Sequence, residues 1–309
     1  MTEMSRPAGY AALLAIGTCW AATLVLTKIA VSTGHGHFGL IFWQLVISAL
    51  ALGLLMVLTG RRVLLTRAAI WTAIVIGVVG TIAPNSTSYQ AYVHLPVGIM
   101  AILISLVPMA AFPIALVMGN EGFSLKRLGG LAMGLLGVVL IVAPKASLPD
   151  PSVLVWVPVA IIAPVLYAFE ANYVSKYGTA GMDPLQTLFS ASVVGAVLVL
   201  PLALHGDHWI DPLGPWGRAE WALVASAVLH AAAYTGYVWL VGHTGSVFAA
   251  QVAYVVTGTT VVLAMVFLGE RYALTVWLAL AVMLAGLALV QPRRPAPLAP
   301  APGLRKNET

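Results

Sequence analysis

The sequence predicts an all-α integral membrane protein with ten transmembrane helices arranged as two inverted five-helix repeats. Three observations carry the prediction. Charged residues make up 8% of the 309-residue chain and apolar residues 61%, against roughly 25% charged in a typical soluble domain. Apolar runs of about 20 residues, the length a helix needs to cross hydrocarbon, recur from end to end. Two stretches, beginning HLPVGIMAILIS and GHTGSVFAAQVA, align without a gap and pair His94 with His243, Glu121 with Glu270 and Gly137 with Gly286 at one offset of 149 residues. An unpaired backbone amide is costly in hydrocarbon, so only helices or closed barrels span it, and runs this continuous lack the alternation of barrel strands.

Apolar windows and their breakers place the helices at roughly 10–31, 38–58, 69–91, 97–118, 125–142, 152–174, 184–204, 219–240, 245–268 and 274–290. The first has only Arg6 ahead of it and runs apolar to Val31, so it is expected to be a span and not a cleaved leader. Lys28 near its outer end either snorkels to lipid headgroups or serves a gate or substrate. The second carries Trp43, read as an interfacial aromatic, and Gln44. The third contains PNSTSY, Pro84 to Tyr89, a helix breaker followed by four small polar side chains in the middle of an apolar chain.

In the fifth helix, Gly130 and Gly134 form a small-xxx-small face with Gly137 one turn on, a pattern for close helix packing. The sixth holds Glu170, the only acidic residue inside an apolar run. It is a candidate proton-coupling group or counter-charge, or, more blandly, a carboxylate at the water boundary near Lys176 and Tyr173. After the seventh comes HGDHWID, expected as a solvated loop and not a metal site. His230 sits near the middle of the eighth, and Gln251 and Tyr254 lie three apart on the ninth. The lone Cys19 allows no intrachain disulfide. Residues 8–144 and 152–291 are expected as the two repeats, with the Pro- and Ala-rich 292–309 as a disordered cytoplasmic tail.

With the amino terminus in the cytoplasm, 11 of the 15 basic residues fall on inside segments, among them Arg61, Arg62, Arg67, Lys126 and Lys176. The positive-inside rule therefore puts both termini in the cytoplasm. It also explains the net charge of +5 without a nucleic-acid partner. Five helices per half is an odd number, so the second half enters the membrane inverted, with Glu121 inside and Glu270 outside as helix-end caps.

The ten-helix repeat, the W-to-K pattern of Trp20 and Lys28 closing the first helix, and the paired signatures MGNEGFSLKRLGGLAMGLLG and LGERYALTVWLALAVMLAG resemble the EamA-type transporters of the drug/metabolite transporter superfamily. The likeness covers about residues 8–291, although the first signature reads N-E where the second reads G-E. It implies a basket of ten helices around a central cavity reached alternately from each side.

Adding the repeat offset maps Thr81, Asn85, Ser88 and Tyr92 of the third helix onto His230, Tyr234, Tyr237 and Val241 of the eighth. Spacings of 4, 3 and 4 put each set on one helical face. Matching interruptions in two halves point to a transporter's binding site, so both stripes are expected to line the cavity, with Pro84 as a mere kink the alternative. Gln251 and Tyr254 are expected to add polar contacts, and His230 to act as a proton-sensing group or to bond Thr81 or Asn85. These features fit a secondary transporter in an inner membrane, exporting small neutral, zwitterionic or amphipathic metabolites of amino-acid-like or aromatic type. No arginine lies in an apolar core, so phosphorylated substrates are not expected. The expected partners are a small-molecule substrate and membrane lipid, with no metal and no cofactor. The alternatives are an intramembrane enzyme, for which no H-E-x-x-H, G-x-S-G or paired-aspartate pattern occurs in a span, and a channel or scaffold.

Overall fold

The computed structural model describes residues 6–142, 151–244 and 246–290, so the predicted tail lies outside the described residues. These residues form helices joined by turns and loops, with no strand among them. In chain order the helices are α1 (Arg6–Val31), α2 (His37–Leu58), α3 (Arg67–Gly77), α4 (Ala83–His94), α5 (Val97–Ile104), α6 (Val107–Met118), α7 (Leu125–Val142), α8 (Trp156–Tyr177), α9 (Pro184–Leu204), α10 (Arg218–Thr244), α11 (Ser246–Ala249), α12 (Val252–Leu268) and α13 (Leu274–Val290). Eight continuous or nearly continuous runs are long and apolar enough to cross a membrane. The 17-residue α12 and α13, at about 26 Å each from helical rise, complete ten spans.

Three of the ten predicted helices are interrupted. The third is α3, a π-helical segment Val78–Ile82 and α4. Pro84 has no N–H for the Gly80 carbonyl and would crowd it, and the wider turn bonds Ala83 N–H to Val78 O instead. PNSTSY thus lies within a helix. The fourth span breaks between α5 and α6 at Ser105 and Leu106, and the ninth between α11 and α12 at Ala250 and Gln251.

Helix ends follow local chemistry. Thr66 Oγ1 caps α3 by accepting Ala69 N–H at 3.1 Å, and Asp183 with Gln186 forms a capping box on α9. Gly119 (φ 73°) and Gly269 (φ 67°) end α6 and α12 in the left-handed region that glycine enters without penalty. The repeat offset survives in the backbone: α5 and α11 start 149 residues apart, and so do α7 and α13.

The packing is symmetric under exchange of the halves. Helix α1 packs on α10, and α4 on α8; α1 also packs on α12, and α6 on α8; α2 packs on α10, and α3 on α9. The self-matching pairs are α2 with α9, α5 with α12 and α7 with α13. The dominant contacts cross between repeats, so neither repeat encloses a core alone. Outward faces carry large apolar side chains such as Leu50, Leu54, Val57, Val117, Val197 and Phe267, as a lipid-facing surface requires.

Helices α7 and α13 meet through glycine. A Cβ on Gly130 would stand 2.7 Å from Gly286 O, and one on Gly286 would stand 2.9 Å from Gly130 O. Gly286→Ala is expected to lower thermal stability in detergent by about 1–3 kcal/mol through overpacking. Gly122→Ala, whose Cβ meets nothing within 4 Å, should leave the unfolding midpoint unchanged.

Candidate functional site

A cavity of about 620 Å³ lies where the two repeats interleave, a size suited to a small organic molecule. Every span except α7 and α13 contributes to its wall. All three helix interruptions border it, through Gly80 and Thr81, Ser105 and Ala250.

The structure brings both sequence stripes to this space: Thr81, Asn85, Ser88 and Tyr92 on one side, and His230, Tyr234 and Tyr237 on the other. Val241, the repeat-mate of Tyr92, packs instead against the smaller apolar cluster around Leu13 and Leu240. Glu170 also lines the cavity and is not tethered at the water boundary. Its carboxylate lies against Gly80 of the π segment, where a Cβ would stand 2.5 Å from the carboxyl carbon. Among the described residues Glu170 makes no hydrogen bond or ion pair.

Part of the wall is internally bonded. Asn85 Nδ2 donates to Gln44 Oε1 at 3.2 Å, Tyr89 donates to the same oxygen, and Tyr167 donates to Asn85 Oδ1 at 3.1 Å. This network fixes the amide of Asn85 across α2, α4 and α8. His230 therefore does not bond Asn85 or Thr81; its ring stands edge-on to Trp20, 5.5 Å between centroids and 86° between planes. Trp20 meets Tyr237 in the same manner at 6.0 Å. Elsewhere the wall is unspent, since Ser88 Oγ and the Tyr92 hydroxyl are buried without a hydrogen-bond partner.

Three expected residues lie elsewhere. Gln251 and Tyr254 do not line the cavity; the break before α12 turns Ala250, Ala253, Val256 and Thr257 toward it instead. Ser105, the repeat-mate of Tyr254, does line it but donates its hydroxyl to Ile102 O at 2.6 Å. Lys28 neither lines the cavity nor snorkels free: its ammonium binds the Tyr92, Val93 and Leu95 carbonyls. The HGDHWID segment is also docked, with His208 against Gly36 and Gly39, and Ile210 O accepting from Trp43 Nε1 at 3.0 Å.

Several lining residues were missed as site residues. Tyr167 precedes Glu170 by three and so shares its helical face, a signal available in the sequence. Gln44 and Ser48, four apart on the second helix, carried a similar one. The seat for Glu170 at Gly80 had none, because it depends on the π turn.

Ten helices in two interlocked, symmetry-related halves around a small-molecule cavity define a membrane transporter. A family model described as the EamA-like transporter family matches residues 7–143 and 154–291, and the chain belongs to that family, within the drug/metabolite transporter superfamily. No curated protein matches the chain. A solved structure titled "Crystal structure of protein" is similar at a TM-score of 0.63 and 17% identity, over 92% of this chain and 96% of the other; it supports the fold alone.

Gly80→Ala is expected to displace the Glu170 carboxylate and cut transport at least tenfold while the protein still inserts and purifies. Glu170→Asp in the Gly80→Ala background, shorter by one methylene, should recover part of the rate; recovery would be read in the same transport assay.

Proposed function

We propose that the protein is an alternating-access exporter of small zwitterionic or amphipathic metabolites that combine an amine with an aromatic or apolar body. The carrying observation is the cavity wall. Among the described residues it has one carboxylate, Glu170, no Lys or Arg, and a run of aromatic rings from Trp20, Tyr89, Tyr92, Tyr167, Tyr234 and Tyr237. An unpaired carboxylate favours a cation, and aromatic faces favour both cations and flat apolar groups. The unbonded hydroxyls of Ser88 and Tyr92 offer donors for a polar group further along α4. A wall without Lys or Arg among its described residues is a poor host for phosphate.

Alternating access is supported by the symmetric pairing of the halves, since exchanging two similar packings opens one face as it closes the other. Arg61, Arg62, Lys126 and Lys176 gather on the face of the α2–α3, α6–α7 and α8–α9 turns, which the positive-inside rule assigns to the cytoplasm of a cell inner membrane, together with both termini. Glu170 is the proposed coupling acid, exchanging a proton for the substrate amine. Comparison of the medium around cells with and without the protein should reveal accumulation of an amine-bearing compound of this class. A purely phosphorylated substrate, or none, would overturn the reading.

Once that compound is in hand, Glu170→Gln should abolish transport driven by a proton gradient while slowing exchange of labelled for unlabelled compound far less. Equal loss in both assays would reduce Glu170 to a binding role. Single cysteines at Thr81, Asn85, Ser88, His230, Tyr234 and Tyr237, in a Cys19→Ala background, should react with a small polar thiol reagent and be slowed by saturating compound. Cysteines at Leu135 and Leu284 should show no such protection.

A further inference from the structure

The α4–α5 turn, at the opposite face from Arg61, is gripped from two directions. Helix α4 ends at His94, and α5 begins at Val97 after Pro96, leaving bare carbonyls on one side of the turn and bare N–H groups on the other. Lys28, from α1, takes the carbonyls: its Nζ donates to Tyr92 O, to Val93 O at 3.3 Å and to Leu95 O at 3.2 Å. Glu270, just beyond α12, takes the N–H groups: Val97 N donates to Oε1 at 2.8 Å and Gly98 N to Oε2 at 3.3 Å. Tyr272 donates its hydroxyl to Glu270 and accepts from Gly98 N at 3.0 Å. The seat needs glycine, because a Cβ on Gly98 would stand 2.4 Å from the Tyr272 oxygen. Beneath the turn Leu95, Val97, Ile99 and Met100 are each 0% exposed, so the turn is packed tightly into the interior.

The other repeat carries the same two charges, Lys176 at an offset of 148 from Lys28 and Glu121 at 149 from Glu270. They are engaged differently. By symmetry with Lys28 on α4, Lys176 belongs on the carbonyl end of α10, yet its Nζ donates to Met118 O at the end of α6, at 2.6 Å. Glu121 pairs with Arg127 of its own repeat. On one face, then, Lys28 of the first repeat and Glu270 of the second grip a single turn; on the other, Glu121 stays within its own repeat and Lys176 reaches across to the end of α6 and not to α10. The two sides also differ in sequence: at the repeat offset of 149 the counterpart of Tyr272 is Phe123, and that of Gly98 is Val247.

We infer that Lys28, Glu270 and Tyr272 form a latch that holds the Lys28 face shut, and that its release, with Lys176 moving to the carbonyl end of α10, accompanies opening to that face. This rests on the alternating-access reading. The missing hydroxyl and glycine on the Lys176 side make the state with the Lys28 face closed the favoured resting state.

The test uses the full-length protein with Tyr234→Cys as reporter in a Cys19→Ala background, in right-side-out and inside-out vesicles treated with a membrane-impermeant thiol reagent. In the parent, labelling should come chiefly from the Arg61 face. Glu270→Gln and Lys28→Met should each raise labelling from the Lys28 face at least fivefold and lower it from the Arg61 face. Lys176→Met should do the reverse, reducing what labelling the Lys28 face allows. Tyr272→Phe and Gly98→Ala, milder changes that keep both charges, should shift the ratio in the same direction as Glu270→Gln by a smaller factor, and they serve if the charge variants fail to fold. An unchanged ratio in all the latch variants, or equal rises from both faces, would overturn the latch while leaving the transporter reading intact. A parent labelled from neither face would overturn alternating access, and the latch with it.

Discussion

Hydrocarbon offers no hydrogen-bond partners, and the architecture follows from where the backbone is permitted to break that rule. Among the described residues the spans are interrupted at Val78–Ile82, at Ser105 and Leu106, and at Ala250 and Gln251. Each interruption borders the central cavity, where water or substrate can meet freed polar groups. The lipid-facing helices α7 and α13 contain no break and no cavity residue; they are joined to each other through glycine contacts. Irregular backbone is thus spent only where it builds a site.

The second constraint is that neither half can bury its own surface. The main helix contacts cross between repeats and exchange into one another under the repeat relation. Cavity wall is consequently drawn from both halves, and its chemistry is not symmetric: α4 contributes Asn85 and Ser88 where α10 contributes Tyr234 and Tyr237. The α8 side adds Tyr167 and Glu170. In the alternating-access reading proposed above, the symmetric scaffold provides two related packings and the asymmetric lining one set of contacts.

Charges inside this protein are few, and each has a definite structural destination. Lys28 satisfies carbonyls at the end of α4, Glu270 satisfies N–H groups at the start of α5, and, among the described residues, Glu170 is the charged group that faces the cavity unbonded. On the Arg61 face, Arg61 pairs with Asp183 at 2.5 Å, tying the α2–α3 turn to the start of α9. A buried or half-buried charge that is already neutralised by backbone groups stabilises one arrangement of helices; one that is not is available to a ligand.

The number of spans, the half-chain repeat and the two polar stripes were legible in the sequence because they depend on local composition and period. Twenty apolar residues must span, an offset of 149 must relate the halves, and spacings of 3 and 4 must place Thr81, Asn85 and Ser88 on one face. Tertiary structure decided what depends on contacts distant in sequence. Pro84 produced a π turn, and its Gly80 became the seat of Glu170, 90 residues further along the chain. Asn85 was claimed by Gln44 and Tyr167, leaving His230 to Trp20. The break before α12 carried Gln251 and Tyr254 off the cavity wall, and Lys28 was drawn to the end of α4 and away from lipid. A helical period fixes which side chains share a face, but only packed neighbours decide what that face meets.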